Sequence, residues 1–241
     1  MDELVIFRGI RMGEHWLISG ANRGIGLELS RRLLARGDHV TSSVRSEEAR
    51  AGLLAKLAPQ NTQADTLVFD TRDEEAIWAA ARTVSKPIDV LVANAGAYGP
   101  DRQSTLDMDF DGALDLFSVN ALGPLRVAQA FLPLLLRATN PRIIFVSSVL
   151  GSMALEGSFN IAYRAAKAAL NKIAQGLAED LKANGVTAIA MHPGWVRTDM
   201  GGPDAPLSVE ESAAGIIETI DALTIAETGS FLDYLGETVA W

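Results

Sequence analysis

The sequence predicts a single α/β domain with a doubly wound, mostly parallel sheet of about seven strands and helices on both faces. Short apolar runs alternate with amphipathic segments along the chain, which is typical of parallel strands joined by right-handed helical crossovers. The strands are nearly continuous apolar runs, as expected when both faces of a sheet are covered. The length of 241 residues suits one such domain.

Composition narrows the classes of function. The chain has 21 Lys plus Arg and 30 Asp plus Glu, and its net charge of −9 argues against nucleic acid or an anionic membrane surface as the main partner. It has no cysteine, which excludes disulfides, thiolate metal sites and thiol nucleophiles. His15, His39 and His192 are scattered without metal-ligand spacing, so we expect no metal.

The N-terminal stretch MDELVIFRGIRMGEH does not resemble a secretion signal, because it has acids at positions 2 and 3 and only a short apolar run. No apolar run approaches the ~20 residues of a membrane span. We therefore expect a soluble, cytoplasmic protein. Residues 1–12 are expected to form a loose extension, and residues 13–241 the single domain.

The predicted elements follow in a regular order. The strand HWLIS (15–19) runs into a glycine-rich turn and then a periodic helix over 25–37, which ends at a glycine as helices often do. The later strands are apolar runs at 39–44, 66–70, 89–96, 142–148, 186–194 and 229–236. The later helices are at 46–57, 74–85, 107–137 with an interruption near Gly123-Pro124, 160–181 and 209–223. The segment 201–208 is either a lid or a plain surface connection.

The turn SGANRGIGLEL (19–29) lies between the first strand and the first helix. Gly20, Gly24 and Gly26 permit a tight turn and close approach of the backbone to a ligand. The N–H groups at the start of the helix favour a pyrophosphate. The position of the turn within the first βαβ unit therefore predicts a dinucleotide site.

Several motifs extend this prediction along the chain. They are SGANRGIG at 19–26, FDTRD at 69–73, ANAG at 93–96, SVNALGP at 118–124, IIFVSSVLGS at 143–152, YRAAK at 163–167 and HPGWVRTDM at 192–200. With these motifs in order, the chain resembles the short-chain dehydrogenase/reductase family over residues 14–241. The sequences of the segments YRAAKAALN, HPGWVRTDM and YLGETVAW resemble those of the C-factor-like and sniffer-like carbonyl reductase branch. The resemblance implies a Rossmann fold and a nicotinamide-dependent oxidoreductase.

Tyr163 and Lys167 stand four residues apart in a predicted helix, so they share one face. Reduction of a carbonyl by hydride requires a proton donor for the oxygen, and a nearby cation lowers the pKa of a phenol. The pair therefore suits the proton transfer, with Lys167 tuning Tyr163. The resemblance further implies that Lys167 binds the nicotinamide ribose.

Ser148 and Ser147 end the fifth predicted strand, where open α/β sheets bind ligands, and only one of the two faces the cleft. The family pattern favours Ser148 as the group that binds the substrate oxygen. The interval of 15 residues from Ser148 to Tyr163 is longer than in most members and implies a two-residue insertion in 152–162, beside the substrate.

Asn120 matches the asparagine that anchors a proton-relay water in the family. It also suits a kink in the helix before Gly123-Pro124. Both roles remain open.

The residues after the second strand bear on the choice of cofactor. An acid there binds the ribose 2′-OH of NAD, whereas a base favours the 2′-phosphate of NADP. Here Val44 is followed by Arg45, and Arg23 lies in the glycine turn. A guanidinium suits a phosphate, so NADP(H) is preferred over NAD(H). The alternative is that both arginines are solvated, with Glu47 and Glu48 pairing with Arg45.

The resemblance implies a larger set of cofactor contacts. Asp70 matches the residue that accepts a hydrogen bond from the adenine amino group. The whole predicted set is Gly20, Asn22, Arg23, Gly24, Ile25, Gly26, Arg45, Asp70, Thr71, Asn94, Ala95, Gly96, Tyr163, Lys167, Pro193, Gly194, Val196 and Thr198.

The predicted function is NADP(H)-dependent hydride transfer to a small-molecule carbonyl or from a secondary alcohol. Ser148, Tyr163, Lys167 and Asn120 form the predicted catalytic set. The alternative is a nicotinamide-binding signalling or regulatory protein of C-factor type with little turnover. A homodimer or homotetramer is compatible with the small-residue face Ala165, Ala168 and Ala169, although that face would equally suit packing on the chain's own sheet.

Overall fold

The computed structural model describes residues 13–57 and 63–241, so the predicted extension over residues 1–12 lies outside the described residues. The strands are β1 His15–Ser19, β2 His39–Val44, β3 Ala64–Val68, β4 Val90–Ala93, β5 Gln103–Ser104, β6 Asp107–Met108, β7 Arg142–Val146, β8 Thr187–His192 and β9 Phe231–Asp233. The α-helices are α1 Gly24–Arg36, α2 Glu47–Lys56, α3 Glu74–Thr83, α4 Phe110–Phe117, α5 Gly123–Leu135, α6 Ile161–Leu181 and α7 Val209–Ala222.

The main sheet confirms the predicted fold class. Its seven strands run in the order β3-β2-β1-β4-β7-β8-β9, and every pair of neighbours is parallel. The chain winds outward from β1 through β2 to β3 and then returns to place β4 on the other side of β1. This reversal creates a crevice at the carboxyl ends of β1 and β4, which is where open α/β sheets bind ligands.

Two apolar clusters cover the two faces of the sheet. Side chains of α3, α5 and α6, including Ile77, Phe131 and Leu170, pack on one face. Side chains of α1, α2 and α7, including Leu29 and Leu53, pack on the other. Because both faces are covered, strands such as β1 and β7 are buried along their whole length, as their continuous apolar sequence predicts.

The region between β4 and α5 differs from the predicted helix over 107–137. A short antiparallel hairpin of β5 and β6 comes first, and Asp109 then caps α4 by accepting a hydrogen bond from the Gly112 N–H. A π-helical turn over Ser118–Leu122 separates α4 from α5, where Pro124 occupies the first turn. The predicted interruption near Gly123-Pro124 is present. The predicted start of this helix at residue 107 is wrong, because Asp109 is a strong N-cap and the helix begins after it.

The end of the fifth strand of the main sheet also differs from the prediction. The ladder of β7 stops at Val146, and Ser147 and Ser148 extend beyond it before a 3₁₀ turn over Val149–Gly151. The two serines therefore belong to the loop at the carboxyl edge of the sheet. Loop residues at this edge are less constrained by strand alternation, so their side-chain directions depend on tertiary hydrogen bonds.

The small-residue face of α6 is only partly covered by the rest of the chain. Ala165 is exposed, and Ala168 and Ala169 are half-buried. Within the described part of the chain, no helix has the length and apolar character needed to cross a membrane.

His15 begins β1 at the edge of the sheet opposite the crevice. Its Nδ1 donates to the Pro87 carbonyl at 2.7 Å, and its Nε2 lies 2.8 Å from the Thr41 hydroxyl, which fits a neutral ring. Burial lowers the pKa of His15 to about 4, and burial lowers the pKa of His192 in the same way. Both rings are therefore neutral in the folded protein near pH 6, where they begin to take up protons in the unfolded chain.

The replacement His15→Gln tests this linkage, because glutamine supplies an uncharged donor and acceptor. The stabilisation due to the depressed pKa is complete above the unfolded value of about 6.5 and is lost as the pH falls towards 4. Between pH 7 and pH 4.5, the wild type should lose roughly 2–3 kcal/mol more unfolding free energy than the variant. Urea unfolding at the two pH values measures the difference, and equal losses would contradict the assignment.

Candidate active site

A cleft of about 680 Å³ opens at the carboxyl edge of the sheet, over the crevice between β1 and β4. Most of the predicted residues line it, namely Gly20, Asn22, Arg23, Gly24, Ile25, Arg45, Asp70, Thr71, Asn94, Ala95, Gly96, Tyr163, Lys167, Pro193 and Thr198. Five predicted residues do not contribute to its wall: Gly26, Asn120, Ser148, Gly194 and Val196. The fold thus brings most of the candidates together in one place.

The glycine turn leaves no room for side chains where β1 meets α1. Gly20 has a φ of 69°, and a Cβ added there would lie 2.8 Å from the Ala95 Cα. A Cβ added at Gly26 would lie 2.6 Å from the Asn94 Nδ2 and 2.7 Å from the Gly20 oxygen. The turn can therefore take this path only with glycine at these positions. The bare backbone forms a cradle that a dinucleotide can approach closely.

Polar contacts lock the glycine turn to the end of β4. The Asn94 amide Nδ2 donates to the carbonyls of Ser19 and Gly20 at 3.0 and 3.2 Å. The Ser19 hydroxyl in return accepts the backbone N–H groups of Asn94 and Ala95. Asn94 therefore fixes the floor of the cleft across the two central strands.

The first turn of α1 faces the cleft without a cap. Its N-cap residue, Arg23, makes no capping hydrogen bond through its side chain, and the turn contains no acidic residue. By contrast, α2, α3 and α7 are capped by Ser46, Asp73 and Ser208, and each has two acids in its first turn. The unpaired donors and the positive end of the helix dipole of α1 suit a phosphate group.

The arginines at the β2 end of the cleft differ in their pairing. Arg23 forms an ion pair with Asp199. Glu47 pairs with Arg50 instead of Arg45. Within residues 13–57 and 63–241, Arg45 forms no ion pair, although its charge contributes to lowering the pKa of Asp70. Its guanidinium is thus available for a ligand phosphate.

Asp70 is more heavily engaged than the sequence suggests. Its carboxylate accepts three hydrogen bonds from Arg72, from the backbone N–H, Nε and Nη2, at 2.7–3.0 Å. The Arg72 side chain holds the pKa of Asp70 below its usual range, and its Nη1 also binds Asp115 at 2.7 Å. An adenine amino group would therefore share Asp70 with Arg72.

Tyr163 and Lys167 share one face of α6, as their spacing predicts. Both are buried, with relative exposures of 7% and 5%. The Lys167 Nζ donates to the Val146 carbonyl at 2.8 Å and lies 5.9 Å from the centre of the Tyr163 ring. The ammonium is thus directed to the end of β7, beneath the phenol ring.

The pKa of the Tyr163 phenol is governed by burial, whereas the sequence predicts that Lys167 lowers it. Burial raises the pKa of the Tyr163 phenol to about 12, and only its hydrogen bond with Ser148 acts in the opposite direction. Burial also lowers the pKa of the Lys167 ammonium to about 8. Desolvation therefore dominates both groups, and the phenol holds its proton at neutral pH, as a proton donor must.

The structure separates the roles of the two adjacent serines. The Ser147 hydroxyl donates to the Asn171 Oδ1 at 2.6 Å, and the Asn171 Nδ2 donates to the Gly151 carbonyl at 3.2 Å. Ser147 therefore ties the loop after β7 to α6. The Ser148 hydroxyl instead interacts with Tyr163 and accepts the Leu150 N–H. Ser147 lines the cleft and Ser148 does not, which differs from the prediction, but the interaction with Tyr163 favours Ser148 as the partner of the phenol.

Asn120 lies in the π-helical turn between α4 and α5 and is fully buried. Its Oδ1 accepts the Ala97 N–H at 2.8 Å, and its Nδ2 donates to the Ala97 carbonyl at 2.7 Å. A Cβ at Gly96 would lie 3.3 Å from the Asn120 Oδ1 and 3.8 Å from the Lys167 Nζ. Asn120 thus anchors the loop after β4 close to Lys167.

The predicted insertion lies in a loop over residues 152–160 before α6, and residues 153–159 of this loop are exposed. Arg164, which is buried, donates to the Leu155 carbonyl, and its guanidinium lies 5.4 Å from the centre of the Phe159 ring. The side chains of Met153 and Phe159 remain exposed. One arginine of α6 therefore holds a loop with free apolar side chains next to Tyr163.

The segment after β8 closes the remaining side of the cleft. The Thr198 methyl would lie 3.3 Å from a Cβ at Gly24, so this segment touches the glycine turn. Val196 is buried and pairs with Leu207 in a short parallel bridge. It therefore supports the cleft from behind, because its side chain is taken up by the fold.

Sequence reasoning missed several residues of the site. Arg72, Asp115, Arg197, Asp199 and Met200 line the cleft. Arg72 and Asp199 lie inside the motifs FDTRD and HPGWVRTDM, which could have drawn attention to them. Gln103 carries no sequence signal, yet it is buried and accepts the Tyr163 N–H at 2.9 Å.

This fold and site define a dinucleotide-binding oxidoreductase with a buried tyrosine–lysine pair. The family model described as short chain dehydrogenase matches residues 14–206. The chain therefore belongs to the short-chain dehydrogenase/reductase family, whose members use a nicotinamide cofactor. The glycine cradle fits such a cofactor, because a Cβ at Gly20 or Gly26 would collide with the backbone that forms it.

Similar proteins lie in the predicted branch. The C-signal of Myxococcus xanthus is 41% identical over 165 residues, which is 67% of this chain and 98% of that protein. The carbonyl reductase Sniffer of D. melanogaster has a TM-score of 0.87 at 32% identity, covering 95% of this chain and 100% of that one. An NADPH-bound carbonyl reductase from chicken fatty liver has a TM-score of 0.87 at 30% identity, covering 95% and 99%. These similarities confirm the predicted family and branch.

The replacement Gly26→Ala should abolish tight binding of the nicotinamide cofactor. The added Cβ would collide with the Asn94 amide and the Gly20 carbonyl, so the turn must shift away from the ligand. Gly176→Ala in α6 is the matched control, because nothing lies within 4 Å of its added Cβ. Calorimetric titration with NADPH should show a loss of at least about tenfold in affinity for the first variant only. Equal affinities would contradict the cradle.

Proposed function

We propose that this protein catalyses NADP(H)-dependent reduction of a small-molecule carbonyl, or the reverse oxidation of a secondary alcohol. The observation that carries the proposal is the buried Tyr163 phenol, which interacts with Ser148, lies above Lys167 and faces the same cleft as the glycine turn. The family and the carbonyl reductases similar to this chain support the reaction class.

The cofactor, when bound, supplies or takes up a hydride. The glycine turn and the uncapped start of α1 would hold its phosphates, and Lys167 would hold the ribose next to the nicotinamide. Ser148 donates a hydrogen bond to the substrate oxygen and orients it. Tyr163 then gives the proton of its hydroxyl to that oxygen as the negative charge develops there. Asn120 keeps the loop after β4 in place beside Lys167.

The protonation states of the two groups support this division of roles. Burial raises the pKa of Tyr163 to about 12, so the phenol carries the proton needed for reduction. Burial lowers the pKa of Lys167 to about 8, so the ammonium is mostly charged at pH 7. Oxidation of an alcohol needs the phenolate, which this environment disfavours. We therefore propose carbonyl reduction as the favoured direction at neutral pH.

The preference for NADP(H) is supported by the pairing of the arginines. Arg45 follows β2, at the position where a 2′-phosphate would be bound, and it forms no ion pair among the described residues. Arg23 is held by Asp199 and contributes less free charge. The NADPH bound to the chicken carbonyl reductase agrees with this preference.

The replacement Tyr163→Phe should abolish carbonyl reduction, because it removes the hydroxyl that is proposed to donate the proton. The affinity for NADPH should change by less than about twofold, since the phosphates are held elsewhere. Tyr234→Phe is the matched control and should retain activity. Loss of NADPH absorbance with a panel of aliphatic and aromatic carbonyls measures turnover. Full activity in Tyr163→Phe would refute the mechanism.

The replacement Arg45→Gln should raise the KM for NADPH by about tenfold or more and leave the KM for NADH unchanged, because only NADPH carries the 2′-phosphate. Arg50→Gln is the control, since Arg50 pairs with Glu47 on α2. Steady-state kinetics with both cofactors give the ratio of the KM for NADPH to the KM for NADH. An equal effect on the two cofactors would show that Arg45 does not select the phosphate.

A second candidate is a nicotinamide-binding signalling protein with little turnover. The 41% identity to the C-signal favours it. The same Tyr163→Phe variant separates the candidates, because a protein that only binds the cofactor has no use for the phenol proton. Wild-type protein that binds NADPH but reduces no carbonyl would favour the signalling role.

A further inference from the structure

We propose that Gln103 is a positioning residue that holds the first turn of α6 and thereby sets the place of the Tyr163 hydroxyl in the cleft. The inference rests on the proposed function for its kinetic consequence. Its structural basis is a buried amide, with 3% exposure, on the two-residue strand β5. The residue does not line the cleft, so it acts through Tyr163.

The start of α6 lacks the usual means of holding a helix terminus. Asn160 precedes the helix in a left-handed conformation with a φ of 50°, and its side chain accepts no backbone N–H of the first turn. That side chain binds the Tyr98 hydroxyl instead. The helix also has no acidic residue in its first turn. The first N–H groups of a helix have no partner within the helix, so others must satisfy them.

Gln103 supplies the missing acceptor at the catalytic residue itself. Its Oε1 accepts the backbone N–H of Tyr163 at 2.9 Å in a buried setting. Its Nε2 donates to the carbonyls of Tyr98 and Pro100 at 3.0 and 2.8 Å. Both donors and the acceptor of this amide are thus used. The arrangement requires an amide of this length, because a shorter or apolar side chain leaves buried polar groups unpaired.

The contacts of Gln103 connect the proposed catalytic groups to one another. The carbonyl of Tyr98 follows Ala97, whose backbone is held by Asn120 through two hydrogen bonds. The Tyr98 ring lies 5.3 Å from the Tyr163 ring, centre to centre. The loop over residues 97–103 therefore runs as a rigid connection from Asn120 to the start of α6. Gln103 joins its far end to the backbone of Tyr163.

The consequence for catalysis is geometric. The phenol must meet the substrate oxygen while it keeps its interaction with Ser148, and a misplacement of 1 Å can reduce a rate by on the order of a hundredfold. The cofactor is held mainly by the glycine turn, on the other side of the central strands. Loss of the Gln103 contact should therefore affect turnover much more than cofactor binding.

Two variants test the proposal. Gln103→Leu removes all three hydrogen bonds and should lower kcat by about 10- to 100-fold, with less than about a twofold change in the Kd for NADPH. Gln175→Leu, a half-buried position on the same helix that bonds only with Lys172, is the matched control and should keep its kcat. Gln103→Glu keeps an acceptor for the Tyr163 N–H in both charge states, and it supplies one donor when its carboxyl is protonated. An ionised carboxylate would repel the carbonyls of Tyr98 and Pro100.

The pH dependence distinguishes positioning from general support of the fold. For Gln103→Glu, kcat relative to the wild type should fall as the pH rises, whereas the ratio for Gln103→Leu should stay constant. An unchanged kcat in Gln103→Leu would overturn the proposal. A parallel loss of kcat, NADPH binding and thermal stability would overturn it as well, because the residue would then only hold the fold together.

A measurement without turnover separates this proposal from the proposed function. The chain has three tyrosines, so protein labelled with ¹⁵N-tyrosine gives three backbone amide signals, assigned with Tyr98→Phe and Tyr234→Phe. The Tyr163 amide should exchange its hydrogen at least about tenfold faster in Gln103→Leu than in the wild type. If the wild type reduces no carbonyl, the proposed function fails while faster exchange still supports the contact. Unchanged exchange would overturn the positioning role.

Discussion

The contact between Asn94 and the end of β1 is the constraint on which the cleft depends. It joins the carboxyl ends of the two central strands at the point where the chain reverses its direction of winding. Gly26 must lack a Cβ because this amide occupies the space. The glycine turn, the start of α1 and the loop after β4 therefore take their positions from one pair of hydrogen bonds. A ligand that follows the turn is directed across the sheet from β2 towards β7.

Desolvation governs the other end of the cleft. Lys167 is buried with one polar contact, to the Val146 carbonyl, and Tyr163 is buried with Ser148 as its hydroxyl partner. Removing water raises the pKa of the phenol and lowers that of the ammonium, so each shift favours the neutral form. A bound cofactor and substrate would remove still more water. The proposed reduction would consume the phenolic proton, which this environment retains.

Local patterns predicted those parts of the site that depend on neighbouring residues. The i,i+4 spacing placed Tyr163 and Lys167 on one face, and the alternation of strands and helices predicted the sheet. The parts that were missed depend on contacts between distant segments. Asn171 and Tyr163, both in α6, distinguish Ser147 from Ser148, and Asp199 distinguishes Arg23 from Arg45.

The hairpin of β5 and β6 also could not be predicted from local sequence patterns. Its strands have two residues each, too short for any period to appear, and the predicted helix ran through β6. Gln103 could not be recognised from the sequence because its importance arises from the uncapped start of a helix 60 residues later. The spacing of Tyr163 and Lys167 predicts their shared face, whereas the direction of the ammonium depends on the carbonyl at the end of β7.

The acidic character of the chain makes the positive charge of Arg45 important for binding a phosphate. A protein with a net charge of −9 repels a dinucleotide phosphate at long range, so the cleft needs local positive charge. Arg23 and Arg72 are offset by Asp199, Asp70 and Asp115. Among the described residues of the cleft, Arg45, Arg197 and Lys167 form no ion pair, and the positive end of α1 faces the pyrophosphate position. Of these three cations, only Arg45 directly follows β2, where a phosphorylated ribose differs from a plain one.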